Sequence, residues 1–130
     1  METIRTCIKR TAALLPAFYL EAHYQNVLGH LLEPDFEVTL ELPVALKLSD
    51  GFLFGMGRID VFARHRVTGQ TYVIELKANI PLSARNLSRS SGQLDRYLKH
   101  CGHDSIGVLV FFGMHNNGYK IVQTPKGEPS

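Results

Sequence analysis

Asp60, Glu75 and Lys77 are the residues of this chain whose types and spacing could do chemistry. Glu75 and Lys77 stand two apart in Tyr72-Val-Ile-Glu-Leu-Lys-Ala78, so in an extended segment both side chains leave the same face. Asp60 lies in Arg58-Ile-Asp-Val-Phe-Ala63, a second run that alternates well enough to be a half-buried strand. There Arg58, Asp60 and Phe62 share one face, and Ile59, Val61 and Ala63 share the other. Between the runs, Arg66-Val-Thr-Gly-Gln70 supplies the glycine that a hairpin turn needs. Pairing of the two strands would bring Asp60, Glu75 and Lys77 together. Two carboxylates and an ammonium beside apolar neighbours are costly unless they are paired, hydrated or bound to a metal. Hard oxygen ligands without a neighbouring thiolate favour Mg²⁺ or Mn²⁺ over zinc. A lysine beside such a site could position a water and stabilise charge developing on a phosphate. The cluster therefore suggests metal-assisted attack on a phosphodiester. A buried salt bridge of Lys77 with Glu75 or Asp60 that serves only the fold is the alternative the two strands leave open.

The elements that must position these residues are readable from the apolar pattern. Residues 2–15 carry a modest helical repeat (Ile4, Ile8, Ala12, Leu15) that Pro16 ends or redirects. From Ala17 to Leu32 the spacing of Leu20, Tyr24, Val27, Leu28, Leu31 and Leu32 predicts a helix with one apolar face. Glu21 falls at the border of that face, where an ordinary surface glutamate is also expected. Phe36 to Leu48 is extended, with Val38, Leu40, Leu42, Val44, Leu46 and Leu48 in one phase, and Pro43 implies an edge position, a bulge or a break. Ser49-Asp50-Gly51 is a turn signal before Phe52 to Phe54.

After the hairpin, Ser83 is a candidate N-cap for a helix running to about His100 and closed by Gly102. Leu87, Leu94, Tyr97 and Leu98 form its buried side, while Arg85, Arg89, Arg96 and Lys99 make it the most basic part of the chain. Ile106 to Phe112 is continuously apolar, as expected of a strand covered on both faces. Asn116-Asn117-Gly118 predicts a turn into a last strand, Tyr119 to Gln123. The expected order is α-β-β-β-α-β-β: an α/β (α+β) fold with a mixed central sheet of about five strands flanked by helices. Residues 1–123 are expected to form a single domain and residues 124–130 a loose tail.

Composition narrows the classes. At 130 residues, 45% apolar and 20% charged, the chain suits one ordinary globular domain. A net charge of +2 neither demands nor excludes a polyanionic partner, so a nucleic-acid site must come from local clustering. Cys7 and Cys101 make no disulfide framework, which favours a reducing, intracellular setting. The N-terminus has no secretory pattern, and the run Thr11 to Leu20, interrupted by Pro16, is too short to span a bilayer. A soluble, cytoplasmic protein without a membrane partner is expected. The six histidines show no ligand spacing, and Cys101-Gly102-His103 is too small a cluster for a metal site.

Asp60, a hairpin, and then Glu75-Leu76-Lys77 resembles the PD-(D/E)XK nuclease superfamily, the restriction-endonuclease-like fold. Glu21 resembles the acidic residue that many members carry on the first helix. Gln93 and Tyr97, in Gln-Leu-Asp-Arg-Tyr-Leu, resemble the Gln-x-x-x-Tyr of its exonuclease-like branches. The chain is also similar to the bacterial GxxExxY family. It has Glu21-Ala-His-Tyr24, Glu75-Leu-Lys-Ala78, Gln93…Tyr97-Leu98 and Gly107-Val-Leu-Val-Phe-Phe-Gly113, a likeness covering about residues 18–122. Phe18 stands where that family has its glycine, and Ile59 where the superfamily has its proline.

The resemblance implies a Mg²⁺-dependent nuclease, with Mn²⁺ an alternative metal. Asp60, Glu75 and the backbone carbonyl of Leu76 would hold the cation, with Glu21 acting directly or through water. Lys77 would orient the attacking water, and Gln93 would steady it or contact phosphate. Arg58, Arg85, Arg89 and Arg96 are candidate phosphate contacts. Tyr97 is either a further contact or a core tyrosine on the buried helical face. DNA is the expected partner ahead of RNA, recognised by shape or ends. A homodimer would supply two sites for cutting both strands. A catalytically weak nucleic-acid-binding or protein-interaction module on the same fold, or an RNA endonuclease, is the competing reading.

Overall fold

The computed structural model describes residues 3–47, 53–102, 104–115 and 117–123. Helices α1 (Ile4–Leu14) and α2 (Glu21–Leu32) precede strands β1 (Phe36–Lys47), β2 (Leu53–His65) and β3 (Thr71–Ala78). Helix α3 (Ala84–Cys101) then leads to β4 (Ile106–Phe112) and β5 (Tyr119–Gln123). The fold is thus mixed α and β, with three helices around a five-stranded sheet in the order β1-β2-β3-β4-β5. Only the β3–β4 pair is parallel, because α3 carries the chain back across the sheet; the other neighbours are antiparallel. The expected sheet is present, and the helical stretches read on either side of Pro16 are two separate helices, where the expected element order counted one. The turn at 49–51 and the tail at 124–130 lie outside the described residues, as does Asn116 of the second turn. Among the described residues no helix is long and apolar enough to cross a membrane.

The sheet separates two apolar cores. One joins Ile4, Ile8 and Ala12 of α1 and Tyr24, Leu28 and Leu32 of α2 to Ile74, Leu76, Val108, Val110 and Phe112. The other joins Leu94 and Tyr97 of α3 to Val73, Leu109 and Phe111. Alternate residues of β4 thus enter opposite cores, which explains its unbroken apolar run. Gly107 of β4 makes room for α3: a Cβ there would sit 2.7 Å from a Leu98 methyl. Pro43 sits in β1, an edge strand where its missing N–H leaves no sheet partner wanting.

One register expectation fails. In β1, Val38 and Leu40 pack into the first core, but Leu42 and Val44 pack into the second. In β2, Val61 and Ala63 face the first core and Ile59 the second, so the three do not share a face. The switch falls between the pairs Leu40↔Val61 and Leu42↔Ile59, at Glu41 and Asp60. Glu41 there has φ 52°, a left-handed conformation that turns the strand over. Beyond this point the β1–β2 hairpin twists toward α3 and leaves the plane of β3.

The helix expected over Ala17–Leu32 starts only at Glu21, because Phe18 has φ 61° and cannot continue a right-handed helix. The Asn79 side chain holds this segment: Phe18 N–H donates to Asn79 Oδ1 (3.2 Å), and Asn79 Nδ2 donates to the Tyr19 carbonyl (2.7 Å). Asn79 itself has φ 60°, which asparagine tolerates. A Cβ at Gly113 would collide with Asn79 Oδ1, so the glycine makes room for the clasp. Phe18 is 83% exposed and gains little from packing, while a left-handed conformation costs an L-residue about 1–2 kcal/mol. Phe18→Gly is therefore expected to raise stability by about 0.5–1 kcal/mol, after the flexibility that glycine adds to the unfolded chain. Urea unfolding of the two proteins checks this.

Candidate functional site

The site forms where β2 parts from β3. These strands pair only from Val61↔Ile74 to Arg64↔Thr71, whereas β3 continues beside β4 as far as Ala78↔Phe112. Past Ile74, one edge of β3 therefore has no strand beside it, and its backbone donors need other partners. Carboxylates supply them. Asp60 Oδ2 accepts the Leu76 N–H at 2.8 Å, and Glu21 Oε2 accepts the Ala78 N–H at 3.3 Å. A strand residue turns its N–H and C=O to the same neighbour, so the Leu76 carbonyl opens onto this edge as well.

Glu75 and Lys77 leave β3 toward α3. Glu75 is 2% exposed and Lys77 22%, with Lys77 Nζ 3.5 Å from Glu75 Oε1. Lys77 Nζ also donates to Gln93 Oε1 at 3.4 Å, and Gln93 Nε2 donates to the Tyr97 hydroxyl at 2.9 Å. The same hydroxyl accepts the Arg58 N–H at 3.3 Å, on the β2 side of the fork. Tyr97, 2% exposed, is thus a core residue that latches α3 to both diverging strands. Arg58, Arg85, Arg89 and Arg96 are exposed. The three on α3 are four and seven residues apart and form one outer stripe. Gln93, on the flank of that stripe, joins it to the fork. Arg58 reaches Glu41 at 3.9 Å, an exposed pair of little energetic weight.

Burial is the largest effect on Glu75, and with the facing Asp60 carboxylate it pushes the group up to about 9 against the opposing pull of Lys77. Burial likewise raises Glu21, opposed by its Ala78 hydrogen bond and by Lys77 and helped by Asp60. Asp60 and Lys77 thus act electrostatically on both Glu75 and Glu21. Glu75 Oε2 is buried and accepts no hydrogen bond.

Oxygen donors of this kind suit a hard divalent cation. Among the described residues, no group of three or more His, Cys, Asp or Glu side chains stands ready to hold a metal ion. The donor set is a facing carboxylate pair, Asp60 and Glu75, beside the Leu76 carbonyl, with Glu21 tied to the next amide along the edge.

Asn79 escaped the sequence reading although it fixes where α2 begins and hence where Glu21 points. An asparagine just after a strand, at Ala78-Asn79-Ile80-Pro81, is the signal that could have found it. The chain matches no model of a known protein family, and no curated protein is similar enough to count as a relative.

Glu75 binds its proton more tightly folded than unfolded, so its contribution to stability is greatest below about pH 4.5 and is lost as pH rises toward about 9. Glu75→Gln removes that loss. In metal-free buffer the variant should have a higher thermal midpoint than the parent at pH 9 and a smaller or no advantage at pH 5. A calorimetric series over pH checks it.

Proposed function

We propose that the chain is a divalent-metal-dependent nuclease of the PD-(D/E)XK kind, with a restriction-endonuclease-like core, that hydrolyses DNA phosphodiesters. The observation that carries this reading is the fork. Asp60 and Glu75 face one another across a gap in the sheet, beside the Leu76 carbonyl, and Glu75 keeps a buried oxygen without a hydrogen bond.

Asp60, Glu75 and the Leu76 carbonyl would hold Mg²⁺ or Mn²⁺, with Glu21 reaching it through water. The bound cation would supply charge neutralisation on the phosphate and a more acidic water. Asp60 stays directed into the gap because one of its oxygens is tied to the Leu76 amide. Lys77, steadied by Glu75 and Gln93, points its ammonium to the same gap. There it orients the attacking water and offsets charge on the phosphate. Gln93 holds Lys77 against swinging into solvent, and Tyr97 holds Gln93. Arg85, Arg89 and Arg96 track the phosphate backbone without reading sequence. A homodimer would set two such sites on a duplex.

One observation favours a second reading, a binding module on the same fold: burial and the facing Asp60 favour the protonated form of Glu75, which already lies beside Lys77. Labelled single-stranded and duplex DNA, with RNA alongside, incubated with Mg²⁺, Mn²⁺ or EDTA, decides between them. Metal-dependent cutting is expected, and Asp60→Ala, Glu75→Ala and Lys77→Ala should each lower it by at least about 100-fold with the fold intact. Unchanged turnover in any of the three would sink the mechanism. Salt-sensitive binding without cutting would leave the binding module standing. Millimolar Mg²⁺ should also raise the thermal midpoint of the parent at pH 8 and not that of Glu75→Gln, since a ligand bound only by the folded state stabilises it.

A further inference from the structure

Phe18 is the least economical residue in the fold. It is bulky, it takes a left-handed conformation that suits glycine, and it is 83% exposed. Nothing in the apolar cores needs it, because neither includes it. Yet its backbone is rigidly placed. Asn79 fixes the Phe18 N–H and the Tyr19 carbonyl, and Tyr19 packs edge-on against the rings of His23 and Tyr24. Strain of this kind, held by surrounding hydrogen bonds on a surface residue, marks a side chain kept for contact with something outside the protein.

The position says what that contact is. Phe18 precedes Glu21 by one helical turn's worth of chain, and Glu21 caps the open edge of β3. Asn79, which anchors Phe18, is two residues past Lys77 and directly follows the end of β3. The Phe18 backbone is therefore held beside the end of β3 that carries Lys77, just before the chain enters α2 at Glu21, and its phenyl ring is exposed there. Exposed Tyr19 and Leu20 continue the apolar surface beside α2, while Lys77 points toward α3, whose outer stripe carries Arg85, Arg89 and Arg96. An aromatic face beside a phosphate track is the arrangement that stacks an unpaired base.

Resting on the nuclease reading above, we propose that Phe18 is a stacking platform for an unpaired nucleobase next to the scissile phosphate. The substrate is then a single strand or a duplex with an unpaired end or flap, and continuous duplex is disfavoured. In continuous duplex the base is already stacked and cannot reach the ring without unpairing.

The test uses full-length Glu75→Gln protein, which is expected not to cleave, in metal-free buffer with oligonucleotides carrying one 2-aminopurine. Single-stranded oligonucleotide should bind about tenfold more tightly than the same sequence in continuous duplex, with the fluorescence quenched by stacking. Adding Phe18→Gly, which the backbone accepts without strain, should remove the quenching and that tenfold preference and leave duplex affinity unchanged. Phe18→Trp should keep both. If Phe18→Gly binds single strand as tightly as Phe18 does, or if the parent shows no preference, the stacking role is overturned while the nuclease reading stands. Binding of neither form would overturn both.

Discussion

The Asp60 carboxylate on the Leu76 amide is the interaction on which the site depends. A strand edge inside a protein must find partners for its backbone donors, and a neighbouring strand is the usual one. Here β2 joins β3 only from Val61 onward, and side-chain carboxylates from β2 and α2 take over at Leu76 and Ala78. The solution gathers negative charge. It places Asp60 and Glu21 beside a third carboxylate, Glu75, that is already buried. Capping the edge also crowds the acids: the Asp60 charge adds to the burial that raises Glu75 and Glu21, while the Ala78 amide pulls Glu21 the other way.

Two latches keep the gap from closing or fraying. On one side Tyr97, Gln93 and Lys77 form a chain of hydrogen bonds from α3 to β3, and the Tyr97 hydroxyl also takes the Arg58 amide of β2. On the other, Asn79 clasps the segment before α2, in space that Gly113 leaves free. Each latch uses a polar side chain anchored by a buried neighbour: Tyr97 within the second core, and Tyr24 stacked at 4.5 Å on Phe112 within the first. Rigid cores thus reach the site through short polar links, which is how a side chain is held within the tolerance that chemistry needs.

Phe18 and Glu41 share a property. Each holds a left-handed backbone at a residue that is not glycine, and each redirects an element that carries an acid. Glu41 turns the β1–β2 hairpin at Asp60, and Phe18 delays α2 until Glu21. Glu21 then falls in the first turn of α2, where a negative charge is favoured by the helix dipole. The strain is local, and the two cores that offset it are not.

Much of this was legible in the residues themselves. The periods of α3 and β4 and the Ser83 and Gly102 caps follow from local preference, which acts over a few residues and needs no knowledge of the rest. The pairing of Glu75 with Lys77 follows from strand alternation alone. The parting of β2 from β3 did not. It depends on a left-handed residue in one strand, at Glu41, acting on its neighbour, and a regular alternating pattern gives no sign of it. Nor did the Asn79 clasp, which joins residues 61 apart at its Phe18 contact. Sequence determined which residues are strand, helix and cap, because those choices are made by side chains a turn or a pleat away. Only the tertiary structure decided that Asp60 and Glu21 share one edge of β3, because an unpaired backbone donor exists only once the strands around it have been placed.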